Sequence, residues 1–425
     1  MAKSVSVFAS LSIHNYRLFF FGGLLSNVGT WMARVAQDWL VLTILTAESS
    51  MALGLTTALQ FLPVLLMAPW AGAVADRFPK RRVLMVTQAG MMATGLALAG
   101  LTLGGVAALW HVYVLAFVSG IFGAFDAPAR QAFAPEMVPE HLIPNAVGLN
   151  TTSFNAARLI GPALAGVMIA WWGVGPALLI NGLSFLPVIG ALALMRPGEL
   201  HSPKRVLEKH AVRDGLRYVS KRPDLMTLMF IVFMLGTFGM NFQVTNALAA
   251  KVTFGVGSEE YGYLGSVMAI GSLSAGLLAA KRTQPRLRWI LLSMVGFAVA
   301  TALLAAAPNY WFYAIVLAPT GFACLTVMTS CNASVQLGTT PRMRGRVMAI
   351  YMAIFQGGTP IGAPLIGWVG DALGPRWTLA VGSIAAAVTV VLVVLYVLAR
   401  NGWDWPRLRA RPDEIPLDSI HTERH

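Results

Sequence analysis

Residues 72–82 read GAVADRFPKRR and separate two apolar runs, 51–71 and 83–107. One or two charges keep a hairpin solvated, yet five stand here: Asp76, Arg77, Lys80, Arg81 and Arg82. The flanking runs explain the setting. Each is about 20 apolar residues or more, the length a helix needs to cross a bilayer, and the pattern recurs along the chain. Of 425 residues, 56% are hydrophobic and 12% charged, whereas a soluble domain is roughly a quarter charged. The sequence therefore reads as an all-α integral membrane protein.

The apolar runs resolve into twelve spans, with ends good to a few residues. The first six fall near 18–46, 52–74, 83–106, 110–134, 145–171 and 174–195. The second six fall near 225–250, 260–280, 287–307, 309–335, 346–370 and 377–399. An even count puts both termini on one side. Loops and tails on that side hold 27 of the 31 Lys and Arg, and the opposite loops hold Lys251 and Arg376. By the positive-inside rule both termini are expected in the cytoplasm of a bacterial plasma (inner) membrane. The net charge of +13 is then an orientation device beside anionic lipid rather than a nucleic-acid surface. The first apolar run is too long and too polar in its middle for a cleaved signal peptide. Cys324 and Cys331, seven apart in one span, read as reduced packing residues.

The one long polar interruption, 196–224, divides the chain six plus six. Val206, Ala211, Val212, Leu216 and Val219 among its basic residues suit an amphipathic helix on the inner membrane surface. This gives an N-terminal six-helix bundle (1–195), the linker (196–224), a C-terminal bundle (225–400) and a tail (401–425). The halves echo each other. GPALAG at 161–166 answers GAPLIG at 362–367, and each is followed by a Gly-Pro pair. The turn at 72–77 is echoed at 276–281 with the acid replaced by Ala280. Two repeats around a central path is a transporter architecture.

Within the opening stretch, Gly72 is small enough for close helix packing. Asp76 ends its own helix, where the macrodipole disfavours an anion. It should seek a cation or a helix N-terminus, with the start of the eleventh span near Arg346 a candidate. Arg77 and Lys80 are placed to pair with Asp126. The pattern G-x-x-x-D-R-x-x-K-R resembles motif A of the major facilitator superfamily, between helices two and three, with Pro79 in place of a glycine. The resemblance implies two pseudo-symmetric six-helix bundles and a latch between them on the cytoplasmic side. It assigns that latch to Gly72, Asp76, Arg77, Lys80 and Arg81, with Asp126 and Arg130 beside them. Gly161-Pro162-x-x-Ala165-Gly166 is similar to motif C of proton-exchanging exporters. FDAPARQAFAPEMVP at 125–139 is similar to the branch of siderophore, macrolide and multidrug exporters. The motif B arginine of the fourth helix is absent, since 112–124 has no basic residue.

Arg34 and Asp38 lie inside the first span and Arg158 inside the fifth. A charge at bilayer depth costs about 2.5–3.5 kcal/mol on insertion scales and marks function by default. Arg34 and Asp38, four apart, share a helical face and can pair. Proton coupling needs a carboxyl that alternates between charged and neutral, and Asp38 with Arg34 or Arg158 is the candidate. A static ion pair orienting the first helix is the rival reading. Asn27, Trp31 and Gln37 in the first span, Asn155 in the fifth, and Asn241, Gln243 and Asn246 in the seventh are candidate cavity residues. Phe238, Phe242 and Asn246, at i, i+4, i+8, predict one aromatic face. Such a lining suits a bulky, partly apolar ligand, although each residue alone also fits ordinary helix packing.

No Walker loop and no H-E-x-x-H motif occurs, which argues against a primary pump and a membrane metalloenzyme. The expected function is proton-coupled export of a bulky amphipathic small molecule, with a lipid flippase or a nutrient importer as alternatives. The expected partners are substrate, protons and membrane lipid, with no metal or cofactor beyond the proton gradient, and the resemblance implies a monomer. Asp76→Asn should impair transport while leaving expression largely intact, measured by substrate flux in vesicles. Wild-type flux would reduce the stretch to an ordinary basic turn.

Overall fold

The computed structural model describes Ser6 and residues 8–200, 211–279 and 287–401, and every regular element among them is helical. The first half contains α1 (His14–Trp39), α2 (Ser50–Arg77), α3 (Lys80–Leu103), α4 (Leu109–Phe133), α5 (Ile143–Trp172) and α6 (Val174–Leu194). A short α7 (Ala211–Ser220) precedes the second half: α8 (Pro223–Met234), α9 (Phe242–Leu248), α10 (Ser258–Ala279), α11 (Leu287–Ala305), α12 (Tyr310–Leu337), α13 (Pro341–Leu373) and α14 (Pro375–Asn401). Among the described residues, 11 spans are long and apolar enough to cross a membrane, with α8 and α9 in one of them. The twelfth is α1, whose 26 residues reach about 39 Å. It falls short only in apolarity, because it carries Arg17, Arg34 and Asp38.

The repeat is visible in the packing. In the first half α1 packs on α5 and α6, α2 on α4, and α3 on α4 and α6. In the second half the same pairings recur: the seventh span on α13 and α14, α10 on α12, and α11 on α12 and α14. Gly173 and Gly374 end the equivalent helices α5 and α13 with φ of 86° and 101°, a left-handed backbone that a side chain resists.

The seventh span departs from a single helix. A π turn at Leu235–Gly239 and non-helical backbone at Met240 and Asn241 separate α8 from α9, and a second π turn follows at Ala249–Thr253. The expected Phe238, Phe242 and Asn246 face is therefore broken. The cause lies in close packing: Gly358 and Gly362 of α13 abut the backbone of Thr237, inside the first π turn. α13 itself runs unbroken through Pro360 and Pro364. The amphipathic α7 packs on α13, with Gly215 against Ile350 and Arg346 and an Asp214–Arg346 ion pair at 3.3 Å. Its upstream residues 201–210 lie outside the described residues, as do 280–286 and the tail from residue 402.

Two crossings join the halves: α2 with α13 and α5 with α10. Both are tight near the face opposite the basic loops, called the far face below. A Cβ on Gly54 would run into the backbone oxygen of Ala363, and one on Gly367 would lie 2.6 Å from Ser50 O. One on Gly166 would lie 2.5 Å from Ser258 O, and one on Gly262 would strike Pro162 O. Toward the basic face the same helix faces part. On α5 the line of Gly161, Pro162 and Gly166 continues as Val147, Gly148, Thr151, Thr152 and Phe154, all exposed. On α13 the line of Ala363 and Gly367 continues as Gly345, Ala349 and Met352, also exposed. The protein is closed at the far face and open toward the basic one. Gly72, expected at a close contact, has nothing within 4 Å of where a Cβ would stand.

Gly54→Ala should therefore weaken the closed arrangement by about 1–3 kcal/mol, whereas Gly72→Ala should not. The check is labelling of a cysteine at position 49, which should rise only in the first variant. Equal labelling of both variants would remove the asymmetry.

Candidate functional site

The central group is Asp38, one residue before the end of α1 and completely buried. Each carboxylate oxygen accepts one hydrogen bond, and both donors come from the other half. Gln243 Nε2 of α9 reaches Oδ1 at 3.1 Å, and Tyr261 Oη of α10 reaches Oδ2 at 2.8 Å. Trp39 stacks on Tyr261 with ring centroids 5.9 Å apart, covering the link. Asp38 thus ties the halves together beside the far-face closure. The expected Arg34–Asp38 pair does not form, since no ion pair within 4.0 Å joins them. The carboxylate is turned toward its second-half donors.

Arg34 instead lies over two rings, 4.6 Å from the centroid of Trp31 and 5.4 Å from that of Phe61. Its Nε is buried without a hydrogen-bond partner. Arg158 approaches the same Trp31 ring at 5.7 Å. Phe154 meets Trp31 edge-on at 5.9 Å. Cation–π contact returns about 0.5–2 kcal/mol per pair, less than the cost of each charge at this depth. Gly161 makes the cluster possible, because a Cβ there would lie 2.6 Å from Trp31 Cβ.

The other expected cavity residues scatter. Asn27 and Asn155 are partly exposed, on the helices that carry Trp31 and Arg158. Gln37 is buried with Nε2 unpartnered. In the seventh span, Asn241 donates to Thr237 O at 2.7 Å, and Asn246 accepts from Tyr313 Oη at 2.8 Å. Phe242 packs edge-on against Phe297 of α11, at 6.1 Å. Phe238 lies with Phe242 in a small pocket between α9, α11 and α14. Of these seventh-span residues, Gln243 is the one that hydrogen-bonds to the first half among the described residues.

Around the opening stretch, Lys80 and Arg81 bond within the first half. Lys80 pairs with Glu136 at 2.8 Å rather than with Asp126. Asp126 is occupied by Arg130 at 3.0 Å, Thr87 Oγ1 at 2.9 Å and Gln88 Nε2 at 2.7 Å. Arg81 donates to the carbonyls of Leu192 and Ala193, at 2.5 and 2.9 Å, where the α6 dipole favours a cation. Arg77 is exposed. These bonds brace α3, α4 and α6 against one another. The side chain of Asp76, on which the expected latch turns, lies outside the described residues.

The far face carries a carboxylate that the sequence reading missed. Asp371, two residues before the end of α13, accepts from Ser50 N at 2.7 Å, Met51 N at 3.1 Å and Ser49 Oγ at 3.1 Å. It therefore caps the N-terminus of α2 across the interface, satisfying free N–H groups and the positive end of the dipole. Glu48 and Lys251 sit nearby, 3.9 Å apart across the same seam. The signal lay in the sequence as an acid ending the span of GAPLIG and a Ser-Ser pair opening the second span.

A family model described as transmembrane secretion effector matches residues 5–411. The chain belongs to this family of major facilitator transporters. It is 24% identical over 394 residues to a staphyloferrin A transporter of Staphylococcus aureus, covering 91% of this chain and 96% of the relative. It is 27% identical over 394 residues to the multidrug efflux pump Tap of Mycolicibacterium fortuitum, covering 89% and 94%. In structure it resembles a D-xylose-proton symporter with a TM-score of 0.71 at 14% identity, over 92% of this chain and 98% of the other. That likeness carries the fold alone. The protein is a membrane transporter with the major facilitator fold.

For this family member, Asp371→Asn should loosen the far-face closure. Hydrogen bonds to a charged group are worth about 1.5–3 kcal/mol, so the ratio of closed to open protein should fall roughly tenfold or more. Spin-label distances between the ends of α2 and α13 would read the shift. An unchanged distance distribution would leave Asp371 a surface acid.

Proposed function

We propose that the protein is a proton-coupled exporter of a bulky amphipathic small molecule. It would work by alternating access in a bacterial plasma membrane, with the basic face in the cytoplasm. The efflux and siderophore transporters among its relatives support export. The asymmetry of Lys and Arg supports the orientation. On that orientation the present conformation is open inward and closed outward.

The observation that carries the coupling is Asp38 of the first half held by Tyr261 and Gln243 of the second. Ionised, the carboxylate accepts from both donors and supports the outward closure. Substrate binding drives outward opening, which breaks both bonds and exposes the ionised Asp38 to the outer medium, where it takes up one proton as substrate leaves. The neutral carboxyl returns with inward opening, and its proton removes one acceptor and leaves one cross-link weak. Release of that proton to the inner side restores both bonds and completes the cycle. Substrate enters between the exposed inner faces of α5 and α13 while the outer seam is shut. No direct competition between proton and substrate is required, because the two act on the same conformational balance.

The test is transport by Asp38→Asn in proteoliposomes with an imposed pH gradient. The amide keeps the shape but cannot cycle a proton, so gradient-driven accumulation should fall to the protein-free level while downhill movement persists. Accumulation at the wild-type rate would remove Asp38 from the coupling role.

A further inference from the structure

Asp38 accounts for one of three charges at membrane depth, which leaves Arg34 and Arg158. Neither forms an ion pair with a described residue, and both approach one indole, Trp31, at 4.6 and 5.7 Å. Two like charges on one ring repel each other, and the ring cannot neutralise them. The nearest carboxylate has both oxygens occupied by Tyr261 and Gln243. Arg34 Nε, a strong donor, is buried with nothing to donate to, a state that native proteins avoid. Packing alone explains none of this, because a structural arginine at depth would be paired or replaced by an apolar side chain.

We propose that Arg34 and Arg158 form the oxyanion-binding end of the substrate site, so that the transported ligand is an amphipathic anion. Its carboxylate, or a comparable oxyanion, takes the guanidinium donors that the protein leaves free. The planar fork of arginine suits such a group with two parallel bonds. Its apolar body lies along Trp31, Phe61 and Phe154, with Asn155 available to a polar substituent. Phe154 is 48% exposed on the parted inner face of α5, so the site is reached from the side that stands open. Arriving charge replaces the missing counter-ion, and binding stabilises two groups that are poorly solvated without it. The same chemistry is offered by a small aromatic carboxylate and by the phosphate of a lysolipid.

The inference deepens the export reading and rests on it for transport, but its test is binding. Purified full-length protein in phosphatidylcholine nanodiscs would be titrated with salicylate, 1-naphthoate and carboxyfluorescein as anions, rhodamine 6G as a cation, and lysophosphatidylglycerol as the lipid arm. At least one anion should bind, and Arg34→Gln and Arg158→Gln should each weaken it by about tenfold or more. Arg158→Lys, which keeps charge but loses the fork, should fall between. A cooperative melt for each variant confirms that it is folded, and rhodamine 6G should bind the Gln variants no more weakly than wild type. Carboxylates binding without competition from the lysolipid would assign the site to a soluble anion, and displacement only by the lysolipid would assign it to a headgroup. Anion affinities unchanged in folded Gln variants, or binding of rhodamine 6G alone, would overturn the proposal. Arginine-dependent binding without gradient-driven flux of the bound anion would overturn the export reading and leave the anion site standing.

Discussion

Everything in this molecule depends on how closely two pairs of helices can approach. Lipid tails are as apolar as the side chains they replace, so helices in a bilayer gain little by hiding apolar surface from one another. What holds them is dispersion and hydrogen bonding, both short in range. Gly54 and Gly367 let α2 meet α13 backbone to backbone, and Gly166 and Gly262 do the same for α5 and α10. These glycines sit toward one end of each crossing. The other end, with Gly72, Gly148 and Gly345 clear of neighbours, has no comparable contact, and the halves diverge there.

Polar chemistry collects where the backbones meet. Asp371 caps α2 at the rim of the far face, Ser258 donates to Gly166 O at 3.2 Å, and Asp38 lies deeper between α1, α9 and α10. Each joins the two halves, so each reports on whether they are together. Asp38 is the member whose acceptor capacity would change with a proton, which is why the proposed coupling is placed at this seam. The two guanidiniums, without an ion pair among the described residues, sit on the first-half side of the same region, toward the open, basic side. A carboxylate that bonds across the seam and a guanidinium with an unpartnered Nε are thus neighbours along one helix, four residues apart.

The spans, the six-plus-six division and the separation of charge between loops were legible because each is a local sum along the chain. Hydropathy over about 20 residues needs no knowledge of neighbours. The charges at depth were legible for the same reason: Arg34, Asp38 and Arg158 stand out against apolar surroundings wherever their helices go. Their partners were not. An i, i+4 spacing allowed Arg34 to meet Asp38, but the carboxylate faces Tyr261, 223 positions along the chain. The Phe238, Phe242 and Asn246 face failed because helical spacing presumes an unbroken helix, and α13 presses on the seventh span at Thr237.

GAVADRFPKRR shows the same division. Its composition and place already marked a basic turn between two membrane helices and a resemblance to a known motif. Only the folded protein directed Lys80 to Glu136 and Arg81 to the end of α6, leaving α2 free of its neighbour at Gly72. The sequence by itself determined which segments span, which loops are basic and which residues carry charge into the bilayer. The tertiary structure decided who bonds to whom, and therefore which side is closed. The reason is physical: burial in lipid is a property of a segment, whereas a hydrogen bond is a property of a pair whose separation the two halves set together.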